Sequence, residues 1–247
     1  MKVYFIGAGP GDPELLTIKG YKILNSAECV IYPGSLLNKK ILEGIRKDLY
    51  DSSKMKLEQI IEVIEKYIKN KQTVVRLVSG DASLYSAIQE QIEILEEKSI
   101  PYEIIPGISS AFAASAKMGI ELTIPEVSQT VIFTRIEGKT GGTSSQDIKK
   151  LASVRATMIF FLSSGLVEEV EKLLLEVMSP QTPVAIVNKV TWDEEKIIHG
   201  TLIDLSELMK KNNIKKTSLI FVGESLKAIN QQLKKRSKLY DKKFNWK

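Results

Sequence analysis

The chain has 247 residues, 43% hydrophobic and 26% charged, the balance of a folded globular protein with room for one large domain or two ordinary ones. Its net charge of +5 resides in the last fourteen residues, Lys234–Lys247, where seven Lys/Arg face one Asp; the body carries −1, so no nucleic-acid partner is expected. One cysteine (Cys29) and one histidine (His199) exclude an internal disulfide and a Cys/His zinc cluster, and the longest apolar run, Met158–Leu162, is far too short for a bilayer, so the expectation is a cytoplasmic chain with no bound metal and no membrane contact.

In chain order, Lys2–Ile6 reads as a strand and Pro13–Ser26 as a helix with Leu15, Leu16, Ile18 and Leu24 on one side. A short strand Cys29–Tyr32 follows, then an amphipathic helix Leu57–Lys69 with Leu57, Ile60, Ile61, Ile64 and Ile68 in register. Thr73–Val78 predicts a strand, Leu84–Glu97 a helix, Tyr102–Ile105 a strand and Ser109–Met118 a helix of small residues. This alternation is the grammar of a mostly parallel sheet with helices on its faces. Gly119–Gln129, with Pro125 and little periodicity, reads as a linker.

A second series follows: strands Thr130–Thr134 and Thr157–Leu162, helix Leu166–Met178, and strands Val184–Val187 and Lys196–His199. Helix Ile203–Lys211, strand Ser218–Val222 and helix Ser225–Lys235 complete it, and Gly138–Ser145 reads as a flexible loop. The expected organisation is therefore two α/β domains with mostly parallel or mixed sheets, residues 1–122 and 123–247, the second carrying the basic tail. The junction between such halves is a common place for a ligand cleft.

Three glycine turns directly follow strands, at the carboxyl ends where open α/β sheets bind ligands. In Gly7-Ala8-Gly9-Pro10-Gly11-Asp12 the third glycine of a dinucleotide fingerprint is replaced by Asp12, and Pro10 removes a backbone donor. Asp12 suits an N-cap ahead of Pro13 and Glu14, and the loop suits either a tight turn or a ligand without phosphate. In Ser79-Gly80-Asp81-Ala82-Ser83-Leu84-Tyr85, Asp81 is either a helix cap or an acceptor for ribose hydroxyls or an ammonium. In Pro106-Gly107-Ile108-Ser109-Ser110 the small side chains admit a neighbouring helix or a ligand. Together the turns predict one pocket for a charged nucleoside lacking phosphates, which S-adenosylmethionine satisfies better than a nicotinamide dinucleotide.

G-A-G-P-G-D at 7–12, G-D-A-S-L-Y at 80–85 and P-G-I-S-S at 106–110 resemble the cobalamin-type tetrapyrrole methylases. Pro183–Val187 and His199-Gly200-Thr201-Leu202 are similar to second-domain motifs of that family, and the resemblance runs from Val3 to about Glu224. Tyr32-Pro33-Gly34-Ser35-Leu36 and Pro125–Thr130 resemble the branch that methylates carbon 11 of precorrin-4 or cobalt-precorrin-4 in cobalamin synthesis. Pro33 and Ala82 depart from that branch, where Ala and Pro respectively are more frequent.

The resemblance implies two α/β domains with the active site between them, S-adenosylmethionine as methyl donor and a homodimer. It implies donor contacts at Pro10, Ser79, Gly80, Asp81, Leu84, Ser109, Ser110, Leu162, Val190 and Ser218. Carboxylate-rich tetrapyrroles call for donors, and Tyr32, Ser35, Gln129, Arg135 and Lys189 are the substrate candidates. No side-chain catalyst is required, since the methyl is already electrophilic and the ring carbon nucleophilic. His199 reads as a structural histidine, Arg76 as half buried and paired, and Cys29 as packed and inert. Methylation of another precorrin, of ribosomal RNA or of a translation factor, and a non-catalytic nucleoside-binding module, remain as alternatives.

Overall fold

The computed structural model describes residues 1–235 and 237–240; Arg236 and residues 241–247, most of the basic tail, lie outside the described residues. The chain divides into two compact units, Met1–Ala113 with Thr191–Asp193, and Ala114–Val190 with Glu194 onward.

The first unit contains β1 (Val3–Gly7), α1 (Ile18–Ser26), β2 (Cys29–Tyr32), β3 (Asp48–Asp51), α2 (Leu57–Lys69), β4 (Val74–Val78), α3 (Gln89–Glu97) and β5 (Tyr102–Ile105). Its sheet has the order β3-β2-β4-β1-β5 with every pair parallel. All five residues of β4 are buried, as expected for a parallel strand covered on both faces. Alternation along β1 sends Val3 and Phe5 toward Ile60, Ile64, Ile92 and Leu95 of α2 and α3. Ile6 goes to the opposite face with Leu24 of α1, Val30 and Leu77.

Helix α2 illustrates how sequence becomes packing. The Gln59 side-chain oxygen accepts the Lys56 N–H at 2.8 Å and opens the helix. Spacing by three and four then buries Ile60, Ile61, Ile64 and Tyr67 against the sheet.

The boundary between the units falls within α4 (Ser110–Met118). The second unit contains β6 (Val131–Thr134), α5 (Ser145–Ser153), β7 (Thr157–Phe160), α6 (Val167–Leu175), β8 (Pro183–Asn188), β9 (Lys196–Thr201), α7 (Leu205–Lys211) and β10 (Ser218–Val222). Its sheet, ordered β6-β7-β10-β8-β9, is mixed: β6 and β7 are parallel and the other pairs antiparallel. Ile148 of α5, Val170 and Leu174 of α6, and Leu205 and Met209 of α7 pack on Met158, Phe160, Ile186 and Ile220.

Three expected elements differ and two more are present. Pro13–Ser26 is a 3-10 turn, Pro13–Leu15, followed by a separate α1, because the Thr17 hydroxyl accepts the Gly20 N–H and starts a new helix. Leu84–Glu97 becomes helical only at Gln89, since Tyr85 and Ala87 hold left-handed φ of 54° and 50°. Ser225–Lys235 is a short 3-10 helix, Glu224–Ile229. Strand β3 and helix α5 are additional, the latter capped by the Ser144 hydroxyl, which accepts the Asp147 N–H.

Ile64 has no exposed surface and lies at the centre of the α2 interface. Ile64→Ala is expected to lower unfolding free energy by about 2–5 kcal/mol, read as a fall in the urea midpoint with the slope unchanged.

Candidate functional site

The three glycine turns meet at the carboxyl ends of β1, β4 and β5. A Cβ added to Gly7 would lie 2.6 Å from the Gly107 nitrogen and 2.7 Å from the Gly80 oxygen. One added to Gly107 would lie 2.3 Å from that oxygen and 2.6 Å from the Gly7 carbonyl oxygen. Only bare backbone fits at this junction. Gly9 and Gly80 exchange both backbone hydrogen bonds, at 3.1 and 2.9 Å, and Ala8 donates to the Val78 carbonyl at 2.8 Å.

Asp81 fastens the junction. One carboxylate oxygen accepts the Gly107 N–H at 2.8 Å, and the other accepts the Ser83 N–H at 2.9 Å and the Ser83 hydroxyl. Burial disfavours the charge, but the Ser83 hydroxyl and the Gly107 and Ser83 amides outweigh it and hold the carboxyl below its ordinary range. The side chain is thus more than the local cap that the sequence offers: it ties the second turn to the third. Ser79 and Leu84 are half-buried on this turn, and Gly80 takes φ +66°. Ser109 is buried, with its carbonyl accepting the first amides of α4, and Ser110 opens that helix.

Pro10 is buried, and its carbonyl accepts the Trp192 indole N–H at 2.9 Å, while the Asp12 amide donates to the Thr191 hydroxyl at 2.9 Å. Sequence periodicity does not point to this contact. The available signal is one of only two tryptophans, placed in the short connection between two strands.

Tyr32 ends β2 and Ser35 follows it, at the same end of the sheet. Asp51 shapes their loop by accepting the Gly34 N–H at 3.0 Å, and Ser52 donates to the Tyr32 carbonyl at 3.0 Å. Ser35 is exposed and Tyr32 half-buried.

In the second unit, pairing register places Arg135, Leu162, Lys189, Val190 and Ser218 at one end of the sheet, beyond β6, β7 and β8 and at the start of β10. Leu162 is 56% exposed with φ +51°. Val190 is buried, and the Ser218 hydroxyl bonds that of Ser164 at 2.7 Å. Lys189 forms an ion pair with Glu194 at 3.4 Å. The Arg135 guanidinium folds onto its own loop: Nη2 donates to the Thr140 carbonyl at 2.5 Å, the Thr140 hydroxyl at 2.9 Å and the Gly141 carbonyl at 2.6 Å. Gln129 is exposed ahead of β6, at the opposite end of the sheet, and is not brought to this group.

Arg76 is 6% exposed, further buried than its sequence position implies, and both its partners are neutral: the Gln91 side-chain oxygen at 3.3 Å and the Leu77 carbonyl at 2.8 Å. Burial pushes its pKa down to about 10. Burial likewise pushes the Cys29 thiol up to about 12, with Asp48 adding to it, which makes the sulfur a poor nucleophile. His199 stands mid-strand on β9 opposite Ala185, away from the grouped end of the sheet.

Asp81→Asn is expected to cost about 1.5–3 kcal/mol of stability at pH 7, the range for hydrogen bonds to a charged group. A depressed carboxyl pKa stabilises the fold above the unfolded value of about 3.9, and the effect is lost as pH falls through the folded value. Urea denaturation of both proteins at neutral and strongly acid pH checks this: the gap must narrow in acid.

Residues 2–206 match the family model of the Tetrapyrrole (Corrin/Porphyrin) Methylases. A cobalt-precorrin-4 C(11)-methyltransferase of Methanocaldococcus jannaschii is 50% identical over 246 residues, covering 98% of this chain and 94% of that protein. The X-ray structure of a cobalamin biosynthetic enzyme, cobalt precorrin-4 methyltransferase, superposes with a TM-score of 0.88 at 39% identity, covering 91% of this chain and 95% of that one. A uroporphyrin-III C-methyl transferase of Thermus thermophilus, solved with S-adenosyl homocysteine, superposes at 0.79 with 25% identity, covering 94% and 96%. The family model spans residues 2–206 and the sequence similarity runs nearly the whole length, so the chain belongs to the tetrapyrrole methylase family.

Proposed function

We propose that this chain is an S-adenosylmethionine-dependent methyltransferase that methylates carbon 11 of precorrin-4 or its cobalt complex in cobalamin synthesis. The observation that carries the reading is the junction of three glycine turns, which contains no lysine or arginine, in a chain half identical to a cobalt-precorrin-4 C(11)-methyltransferase. S-adenosylmethionine supplies an electrophilic methyl group on a sulfonium. The junction fits such a cation: it offers backbone carbonyls, the ionised Asp81 and close access to the main chain, with no lysine or arginine among the turn residues themselves.

In this reading Pro10, Ser79, Gly80, Asp81, Leu84, Ser109 and Ser110 hold the donor from the first unit, and Leu162, Val190 and Ser218 belong to the same set in the second. The residues orient the reactants and exclude water, with no side chain acting as nucleophile. Tyr32, Ser35, Arg135 and Lys189 are the substrate contacts. The three loop bonds of Arg135 use Nη2 alone, so Nη1 is left to donate to a propionate or acetate carboxylate. Gln129, at the other end of its sheet, stays a substrate candidate apart from this group. The same proposal takes residues 1–122 and 123–247 as the two functional domains. It also takes the enzyme as a homodimer, on the strength of the family resemblance, and as cytoplasmic and without bound metal, on the strength of its composition. Among the described residues no helix is long and apolar enough to cross a membrane.

A second reading, methylation of a different tetrapyrrole, follows from the similarity to the uroporphyrin-III enzyme. Incubation with labelled S-adenosylmethionine and cobalt-free or cobalt-loaded precorrin-4 separates the two. The expected product carries one new methyl group at carbon 11, located by mass spectrometry and carbon NMR. Transfer only to uroporphyrinogen supports the second reading, and no transfer to any tetrapyrrole defeats both. Arg135→Ala is expected to raise the tetrapyrrole KM roughly 10- to 150-fold and leave S-adenosylhomocysteine affinity within a few-fold, as steady-state kinetics and calorimetry would record.

A further inference from the structure

Residues Thr191–Asp193 come late in the chain yet pack with the first unit. Three contacts tie them there. Trp192 donates its indole N–H to the Pro10 carbonyl at 2.9 Å, and Thr191 accepts the Asp12 N–H at 2.9 Å. Asp193 receives the Lys40 ammonium at 2.7 Å on both carboxylate oxygens. Lys40 lies in the 3-10 turn Lys39–Leu42, just past the loop that bears Tyr32 and Ser35.

The fit at the first turn is close. A Cβ on Gly11 would stand 2.2 Å from Trp192 Cδ1 and 2.3 Å from Nε1, so the indole occupies the space a side chain would need. Thr191 holds φ +66°, a left-handed conformation that a β-branched residue resists. Such a conformation persists where surrounding contacts over-determine it. The strap is therefore held against its own backbone preference by the bonds it makes to the first turn.

We propose that Trp192 is a positioning residue for the methyl donor. It holds the Pro10 carbonyl and covers Gly11, and thereby sets the shape that the first turn presents to the donor. The inference rests on the reading of Pro10 as a donor contact. It predicts an effect on donor binding and turnover, with tetrapyrrole KM unaffected.

The test uses the full chain with S-adenosylhomocysteine as probe. Trp192→Phe keeps an aromatic ring against Gly11 and deletes the N–H. Its melting temperature should stay near wild type, while the S-adenosylhomocysteine Kd and the donor KM rise about 3- to 10-fold. Trp192→Ala should go further and lower kcat as well. Gly11→Ala attacks the contact from the other side, and its loss of affinity should be smaller in the Trp192→Ala background, where space has opened. This coupling distinguishes positioning from general destabilisation. If wild type binds S-adenosylhomocysteine and Trp192→Phe binds it equally well, or if the penalty falls on the tetrapyrrole KM alone, the inference is overturned. If wild type does not bind S-adenosylhomocysteine, the donor reading fails first and the inference with it.

Discussion

The first unit is organised around a steric condition: three main-chain segments must approach one another without side chains between them. Parallel pairing sets β4 and β5 on either side of β1, so their carboxyl ends emerge together. At that level a Cβ on Gly7 or Gly107 would strike neighbouring backbone, the Gly80 carbonyl included. A close backbone junction also gathers peptide dipoles, and the Asp81 carboxylate satisfies two amides and a hydroxyl there at once. The neighbouring Arg76 side chain is buried on the α3 side of β4, bonded to the Gln91 side-chain oxygen and the Leu77 carbonyl.

The second unit builds its strand ends from different material. Where the first unit offers glycine backbone, the second has left-handed Leu162 and Lys189, both with side chains, just past β7 and β8. A left-handed residue turns the chain sharply while still projecting a side chain, at a cost in local strain that packed surroundings must offset. The first unit thus presents main-chain polarity at its turns, and the second presents an exposed aliphatic group, an ammonium and a guanidinium at one end of its sheet.

Much of this was legible in the sequence for physical reasons that can be named. Short valine-rich runs such as VVRLV leave little choice but a buried strand, and the isoleucine spacing of α2 leaves little choice but an amphipathic helix. Strand β3, DLYD, escapes because an edge strand needs no apolar run, and α5 escapes because only Ile148, Leu151 and Ala152 mark its buried face. The late start of α3 is invisible because left-handed Tyr85 and Ala87 carry no glycine signal. At the site, residue types and strand-end positions were readable, but partners were not. Asp81 bonds Gly107 across 26 residues, and Arg135 turns back on Thr140 and Gly141. Both depend on loop paths that no spacing rule encodes.

The strap at Thr191–Asp193 has a consequence for how the chain comes into being. The sheet of the first unit is complete once β5 ends at Ile105, yet its first turn makes contacts across 179 and 182 positions of sequence. During synthesis at about 5–20 residues per second, the wait between Ile105 and Asp193 is roughly 4–18 s. Throughout that interval the nascent turn lacks the bonds to its amide at Asp12 and its carbonyl at Pro10. The element that forms earliest in translation is therefore finished among the last, and closing so long a loop belongs to the slow, non-local part of folding. A ribosome-bound fragment ending before residue 191 should expose this turn to proteases that the complete chain resists.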